Sequence, residues 1–248
     1  MKKLFALLLF LASLLHAEQV TIALAANVSY AMDELKTNFH KLYPETKLRI
    51  IIGGSGKLTA QIKNGAPYDI FMSANMLYPQ ALYKEKIAIT KPTVYANGAL
   101  AILSQRSRDF THGIAIVSNQ DIQCIAIANP KTAPYGKASV EALQHAKLYA
   151  KVKKKLLYGE SIAQTVTYTM TAADLGFIAK SALYSPKMQH FVKNKNWIEV
   201  KSSLYAPIAQ GIVILRHGKD NTGAKEFYDF ILSKEAKVIF KKYGYSVQ

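Results

Sequence analysis

The chain has 248 residues, of which 50% are hydrophobic, so it is long enough to bury a large core and too hydrophobic to be disordered. Its 32 Lys and Arg residues outnumber 16 Asp and Glu residues, which gives a formal net charge of +16, and its single cysteine excludes an intramolecular disulfide. A nucleic-acid partner is disfavoured because no nucleic-acid-binding module is recognisable. The charge either steers an anionic ligand or reflects a general basic bias, and both interpretations stay open.

The N-terminal segment has the pattern of a secretory signal peptide. Lys2 and Lys3 precede an apolar run over residues 4–15, and Ala17 is a small residue at a suitable cleavage point. The run is about a dozen residues, short of the ~20 that a membrane-spanning helix needs. We therefore predict that residues 1–17 are removed and that the mature protein works in the periplasm without a membrane anchor. Loss of Lys2 and Lys3 lowers the net charge from +16 to +14.

The first part of the mature chain predicts alternating strands and helices. Apolar residues between Val28 and Leu42 recur at three- and four-residue steps, so they form one face of a helix, which Pro44 ends. The predicted strands are residues 20–24, 48–52 and 68–73. The second of these strands is of the buried type, and a glycine-rich segment at 53–56 connects it to a short helix from about Lys57.

The same alternation restarts in the second part of the chain. The predicted strands there are residues 99–104, 124–128, 175–179 and 208–215. The predicted helices are residues 135–146, 162–171, 224–233 and 235–243. This order predicts the α/β class, with parallel or mixed sheets that carry helices on both faces.

Two similar α/β units without a flexible linker predict two lobes with a ligand cleft between them. We assign residues 18–97 and 207–248 to lobe I and residues 98–206 to lobe II. Pockets between domains and at the carboxyl ends of strands are the usual ligand sites of such folds.

Small or polar residues occupy four junctions between a strand and a helix. These junctions are residues 25–27, 54–56, 134–136 and 160–162. A helix N-terminus presents unpaired N–H groups and the positive end of the helix dipole, and small residues let an anion approach the backbone. One such junction is ordinary helix capping, whereas two in each half predict a site of neutral donors for a tetrahedral dianion.

The sequence lacks the common motifs of enzymes and metal sites. The segment around Lys57 lacks a P-loop because Ile51 and Leu58 occupy the positions of its first glycine and its Ser or Thr. The histidines show no metal-ligand spacing. Asp69 is a lone carboxylate beside a buried run, for which a local hydrogen-bonding role is expected. We therefore predict that the protein is not an enzyme.

Several segments together resemble the periplasmic molybdate-binding proteins of molybdate ABC transporters. The resemblance runs over essentially the whole mature chain, and the order and spacing of its motifs make it specific. The motifs are AAN at 25–27, GSGKL at 54–58, QIKNGAPYDIF at 61–71, ANP at 128–130, APYG at 133–136, GESIAQT at 159–165, LGF at 175–177 and FKKYGY at 240–245.

The resemblance implies the two-lobed type II periplasmic binding fold, with a mixed sheet flanked by helices in each lobe. It also implies an oxyanion held by hydrogen bonds, without charged ligands, direct metal-ion ligands or a separate cofactor. By position, the contacts fall on the backbone of Ala26, the side chain of Asn27, the hydroxyl and N–H of Ser55, and the N–H groups of Tyr135 and Ile162.

The sequence departs from many family members at two positions. Asn27 stands where many members have Ser, and Ala179 stands where many have a Tyr hydroxyl donor. The chain resembles an Asn-type branch of the family, in which the Asn amide and a Tyr such as Tyr135 replace those donors.

The expected function is capture of molybdate, and also of tungstate, with delivery to the membrane permease of an ABC transporter. The receptor is expected to act as a monomer. A receptor for another oxyanion, such as sulfate or thiosulfate, is the alternative within this class. A secreted hydrolase is the alternative outside it, and the sequence shows no nucleophile with a base in reach.

Overall fold

The computed structural model describes residues 19–247, so the predicted signal peptide at 1–17 lies outside the described residues. The strands are β1 (Gln19–Ala25), β2 (Lys47–Gly53), β3 (Ile70–Ser73), β4 (Thr93–Gly98), β5 (Leu100–Leu103), β6 (Ile125–Ala128), β7 (Leu156–Gly159), β8 (Leu175–Ala179), β9 (Trp197–Glu199) and β10 (Ile208–Ile214). These strands form two mixed sheets of five strands each, which confirms the predicted α/β class.

Helices connect most of these strands. The α-helices are α1 (Ser29–Leu42), α2 (Ser55–Lys63), α3 (Leu77–Lys84), α4 (Pro134–His145), α5 (Tyr149–Val152), α6 (Ile162–Thr171), α7 (Thr222–Leu232) and α8 (Lys234–Lys242). The 3₁₀ helices are Ala26–Val28, Gly113–Ser118, Lys153–Lys155, Lys180–Tyr184, Pro186–Met188, Ser202–Leu204 and Arg216–Gly218.

The first sheet has the strand order β2-β1-β3-β10-β4. Strand β1 runs parallel to β2 and β3, whereas β10 is antiparallel to β3 and β4. In this register Ala25 lies beside Gly53, so β1 and β2 end side by side. The junctions that follow these two strands are therefore neighbours.

The second sheet has the order β7-β6-β8-β5-β9 and repeats this plan. Strand β6 is parallel to β7 and β8, and β5 is antiparallel to β8 and β9. Ala128 lies beside Gly159, so the ends of β6 and β7 also meet. Each sheet thus places two strand-to-helix junctions side by side, at the carboxyl ends of two neighbouring strands.

Apolar clusters lie on both faces of each sheet. On one face of the first sheet, Phe39 of α1 contacts Phe227 and Phe230 of α7, at ring-centroid distances of 5.2 and 5.6 Å. The chain passes between the sheets twice, from β4 to β5 and from β9 to β10. The predicted two-lobed fold is confirmed, and the exact lobe boundaries at 97/98 and 206/207 stay predictions.

One strand differs from its predicted environment. Residues 48–52 were expected to form a buried strand, but β2 is the edge strand of its sheet, and Ile52 is 53% exposed. A run of β-branched residues favours a strand whether it lies in the middle or at the edge. The sequence pattern therefore predicted the strand correctly and its burial wrongly.

Candidate anion-binding site

A small cavity lies where the four junctions meet. All five residues predicted from the sequence line it: Ala26, Asn27, Ser55, Tyr135 and Ile162. Each of them is buried, with at most 4% of its surface exposed. No Asp, Glu, Lys, Arg or His is among the residues that line the cavity. The site is therefore enclosed and lacks formal charge on its walls.

Helix N-termini converge on the cavity from both lobes. Helix α2 begins at Ser55, α6 begins at Ile162, and α4 begins at Pro134, one residue before Tyr135. N–H groups in the first turn of a helix have no partner within the helix, and the dipole adds partial positive charge there. Pro134 lacks an N–H, so Tyr135 supplies the first donor of α4. The cavity walls can therefore offer backbone donors to an anion.

The Ser55 hydroxyl is oriented by a neighbouring backbone group. The N–H of Ala74 donates to Ser55 Oγ at 3.0 Å. Because the oxygen accepts this bond, the hydroxyl hydrogen remains for another acceptor. Ser55 thus combines an oriented O–H donor with the N–H at the start of α2.

The Asn27 side chain has a different environment from the one its sequence position suggests. Its Nδ2 donates to Gln210 Oε1 at 2.8 Å and to Tyr245 Oη at 3.0 Å. Its backbone oxygen accepts from Ser181 Oγ at 2.9 Å and from Tyr245 Oη at 2.8 Å. Both amide hydrogens therefore point at protein acceptors in this structure, and side-chain donation to an oxyanion stays a prediction.

The Tyr135 side chain connects the two lobes. Gln210 Nε2 on β10 donates to Tyr135 Oη at 3.3 Å, and Tyr95 Oη donates to Gln210 Oε1 at 2.9 Å. A Cβ at Gly98 would overlap the Tyr135 hydroxyl, so only glycine fits there. Burial, reinforced by neighbouring tyrosines, raises the pKa of Tyr135 well above its ordinary value. The hydroxyl is therefore a neutral hydrogen-bonding group.

The sequence analysis missed the residues behind the cavity wall. Gln210, Tyr95, Tyr245 and Ser181 are all buried and hydrogen-bonded to one another or to the predicted site residues. One signal was available, because Gln210 is the single amide side chain within the apolar strand Ile208–Ile214. A polar residue on a buried strand needs a partner and so points to a network.

Comparison with known proteins identifies the family. The family described as bacterial extracellular solute-binding proteins matches residues 20–246. The chain belongs to this family.

Relatives of this solute-binding protein carry a more specific name. The molybdate-binding protein ModA of Azotobacter vinelandii is 36% identical over 96% of the chain and 94% of the relative. The protein of the same name from Rhodobacter capsulatus is 33% identical over 97% of the chain and 93% of the relative. The solved structure of the Azotobacter vinelandii periplasmic molybdate-binding protein has a TM-score of 0.84 at 28% identity, over 92% of this chain and 99% of that one. The resemblance noted from the sequence motifs is thereby confirmed.

The cleft of the solute-binding protein is closed by contacts between the lobes. Gly56 N–H at the start of α2 donates to the backbone oxygen of Thr132 at 2.8 Å. Beside it, Lys57 Nζ lies 2.5 Å from Glu160 Oε1, with the two side chains 50% and 62% exposed. The closed arrangement separates the cavity from solvent, which strengthens any electrostatic interaction inside it.

Elsewhere in the described part of the chain, the carboxylate of Asp69 makes local contacts. Asp69, expected to have a local role, accepts from Thr21 N–H and contacts His217 Nδ1 at 2.7 Å, in a surface hollow away from the cavity. Residues 19–247 contain no cluster of three or more His, Cys, Asp or Glu side chains that could hold a metal ion. Within the same range, no helix is both long and apolar enough to cross a membrane.

Proposed function

We propose that this solute-binding protein captures molybdate, and also tungstate, and delivers it to the permease of an ABC transporter. The observation that carries the proposal is the small cavity lined by backbone and hydroxyl donors from both lobes and by no charged residue. The relatives named as molybdate-binding proteins support the same ligand.

Neutral donors suit an anion that has no proton to donate. Molybdate and tungstate are fully deprotonated near neutral pH, so every oxygen accepts. Monohydrogen phosphate would bring a hydroxyl that needs a hydrogen-bond acceptor. Burying that hydroxyl without an acceptor costs ~1–3 kcal/mol, or about 5- to 150-fold in affinity. Sulfate also lacks a proton, so the size of the cavity must reject it.

We further propose that the signal peptide exports the chain. The mature protein then acts in the periplasm as a monomer, without a cofactor and without catalysing a reaction. Sulfate, thiosulfate and ester hydrolysis are the competing hypotheses.

A thermal unfolding experiment tests the proposal. The mature protein is heated alone and with excess molybdate, tungstate, sulfate, thiosulfate or phosphate. A ligand at ~100 times its dissociation constant adds ~2.7 kcal/mol of stability, so molybdate and tungstate should raise the melting temperature clearly. A rise with sulfate or thiosulfate alone would favour the alternative receptor, and no rise with molybdate or tungstate would refute the proposal.

A further inference from the structure

The side-chain oxygen of Asn27 is a buried acceptor without a hydrogen-bond partner among residues 19–247. Asn27 is completely buried and lines the anion cavity. An unmet buried polar atom is costly, and natural proteins rarely keep one without a reason. The Asn27 Nδ2 group donates to Gln210 Oε1 and Tyr245 Oη, so it has no hydrogen left for an oxyanion. The observed orientation of the Asn27 amide is therefore the wrong one for a bound oxyanion.

The Asn27 amide belongs to a chain of groups that can each exchange donor and acceptor roles. Its Nδ2 faces Gln210 Oε1, and Gln210 Nε2 faces the Tyr135 hydroxyl. Turning an amide by half a turn exchanges its NH₂ and its oxygen, and a hydroxyl can donate or accept by rotation. The hydrogen-bond directions along this chain can therefore reverse without any group moving away.

We propose that anion binding reverses the amides of Asn27 and Gln210 together, and that Gln210 is the positioning residue that couples them. In the reversed arrangement Gln210 Nε2 donates to Asn27 Oδ1, and Gln210 Oε1 accepts from the Tyr135 hydroxyl. The Asn27 oxygen, unpartnered before, gains a donor, and Asn27 Nδ2 takes its place beside the cavity. The inference rests on the proposed oxyanion-binding function.

The neighbouring hydroxyls can accommodate the reversal. Tyr95 Oη now donates to Gln210 Oε1 and also lies 3.5 Å from the backbone oxygen of Ser73, which can accept its hydrogen instead. Tyr95 Oη then accepts from the turned Gln210. Tyr245 Oη now accepts from Asn27 Nδ2 and donates to the Asn27 backbone oxygen. After the reversal its hydrogen can turn to Asn27 Oδ1, because the backbone oxygen keeps the hydrogen bond from Ser181 Oγ.

The reversal has one consequence for binding. An anion that only accepts hydrogen bonds favours the reversed arrangement, because Asn27 Nδ2 then becomes a donor to it. The hydrogen bond between Tyr135 of lobe II and Gln210 of lobe I is present in both arrangements and changes only its direction.

Neutron diffraction tests the reversal directly, because it distinguishes a deuterated amide nitrogen from an oxygen. Crystals of the deuterated mature protein are grown without ligand and with molybdate. We expect Asn27 Nδ2 to face Gln210 in the first crystal and to face the anion in the second. The same amide orientation in both crystals would overturn the inference while leaving the proposed function intact. Failure of the wild type to bind molybdate would instead overturn the proposed function.

A double-mutant cycle tests the role of Gln210 in solution. In Gln210→Glu at about pH 9 the carboxylate only accepts, so it should hold Asn27 in the observed orientation and weaken molybdate binding about 10- to 100-fold. In an Asn27→Ala background the same substitution should reduce the affinity for molybdate much less, because there is no Asn27 amide for residue 210 to orient. An equal loss in both backgrounds would mean that the new charge simply repels the anion, which would overturn the coupling. Gln210→Met, measured in parallel, controls for packing.

Discussion

Lys57 on α2 and Glu160, just before α6, form an ion pair between the two lobes, with Nζ and Oε1 2.5 Å apart. Both side chains are at least half exposed, so water and salt weaken the attraction. The pair lies next to the hydrogen bond from Gly56 N–H to the Thr132 oxygen. Its position at the mouth of the closed cleft gives it an effect on ligand release rather than on the fold.

Removing this ion pair should speed up ligand release. An exposed pair contributes about 0.2–1 kcal/mol, so Lys57→Met should increase the molybdate dissociation rate about 1.4- to 5-fold at low salt, and less at high salt. Stopped-flow displacement measures the rate. Lys63→Met is the matched control, because Lys63 pairs with Glu85 at the same 2.5 Å within lobe I. Equal effects of the two variants would contradict the conclusion that the Lys57–Glu160 pair holds the cleft closed.

Removing the Ser55 hydroxyl should weaken anion binding strongly. The hydroxyl hydrogen is free while Ala74 N–H holds its oxygen, so Ser55→Ala removes a charge-assisted hydrogen bond of about 1.5–3 kcal/mol, or about 10- to 150-fold in affinity. Isothermal titration calorimetry with molybdate measures this loss. Ser185→Ala is the control, because Ser185 is buried and bonded to the Ala182 oxygen away from the cavity. An unchanged affinity in Ser55→Ala would exclude the hydroxyl as a ligand.

A methyl group at Gly56 should oppose closure of the cleft. The added Cβ would lie 2.8 Å from the Thr132 backbone oxygen of lobe II, and 2.8 Å from the Tyr78 hydroxyl of lobe I. The hydroxyl is the end of a flexible side chain that can move aside, whereas the Thr132 backbone cannot while the lobes are in contact. Gly56→Ala should therefore weaken binding about 10-fold or more and change the unfolding of the free protein little.

Gly65→Ala provides the opposite control for the Gly56 prediction. Gly65 has a φ of +84° and nothing within 4 Å of the added Cβ, so the substitution should lower stability through backbone strain and leave affinity unchanged. Calorimetric titration and thermal unfolding of both variants give the comparison. A loss of stability without a loss of affinity in Gly56→Ala would refute the closure argument.

Anion affinity should be nearly independent of pH between about 6.5 and 9.5. Burial raises the pKa of Tyr245 to about 12 and the pKa of Tyr95 and Tyr135 well above the ordinary value of 10.0, so all three hydroxyls stay neutral. Since the folded-state pKa values are raised, the stability they give is complete below pH 10 and is lost as the pH rises toward 12. Titrations with molybdate across this range check the prediction, and a tenfold loss of affinity below pH 9 would contradict it.

Local sequence was sufficient to predict the four junctions that meet at the cavity, whereas the family resemblance supplied the individual contact residues. At each junction a strand ends at a small residue and a helix begins one to six positions later. Such helix starts carry free donors wherever they occur. Pro134 and Ser55 mark helix starts in the sequence itself. The apolar and β-branched runs likewise predicted most strands, although β4, β7 and β9 were missed.

Tertiary structure alone decided what surrounds those donors. Asn27 contacts Gln210 and Tyr245, which lie far along the chain, because β10 inserts between β3 and β4 and the C-terminal segment pairs with Asn97. No local pattern encodes which amide faces which hydroxyl, since that depends on sheet order and register. The sequence determined that helix N-termini would follow the strands. Only the folding of two sheets against each other decided that these N-termini enclose one uncharged cavity, with a reversible network of amides and hydroxyls behind it.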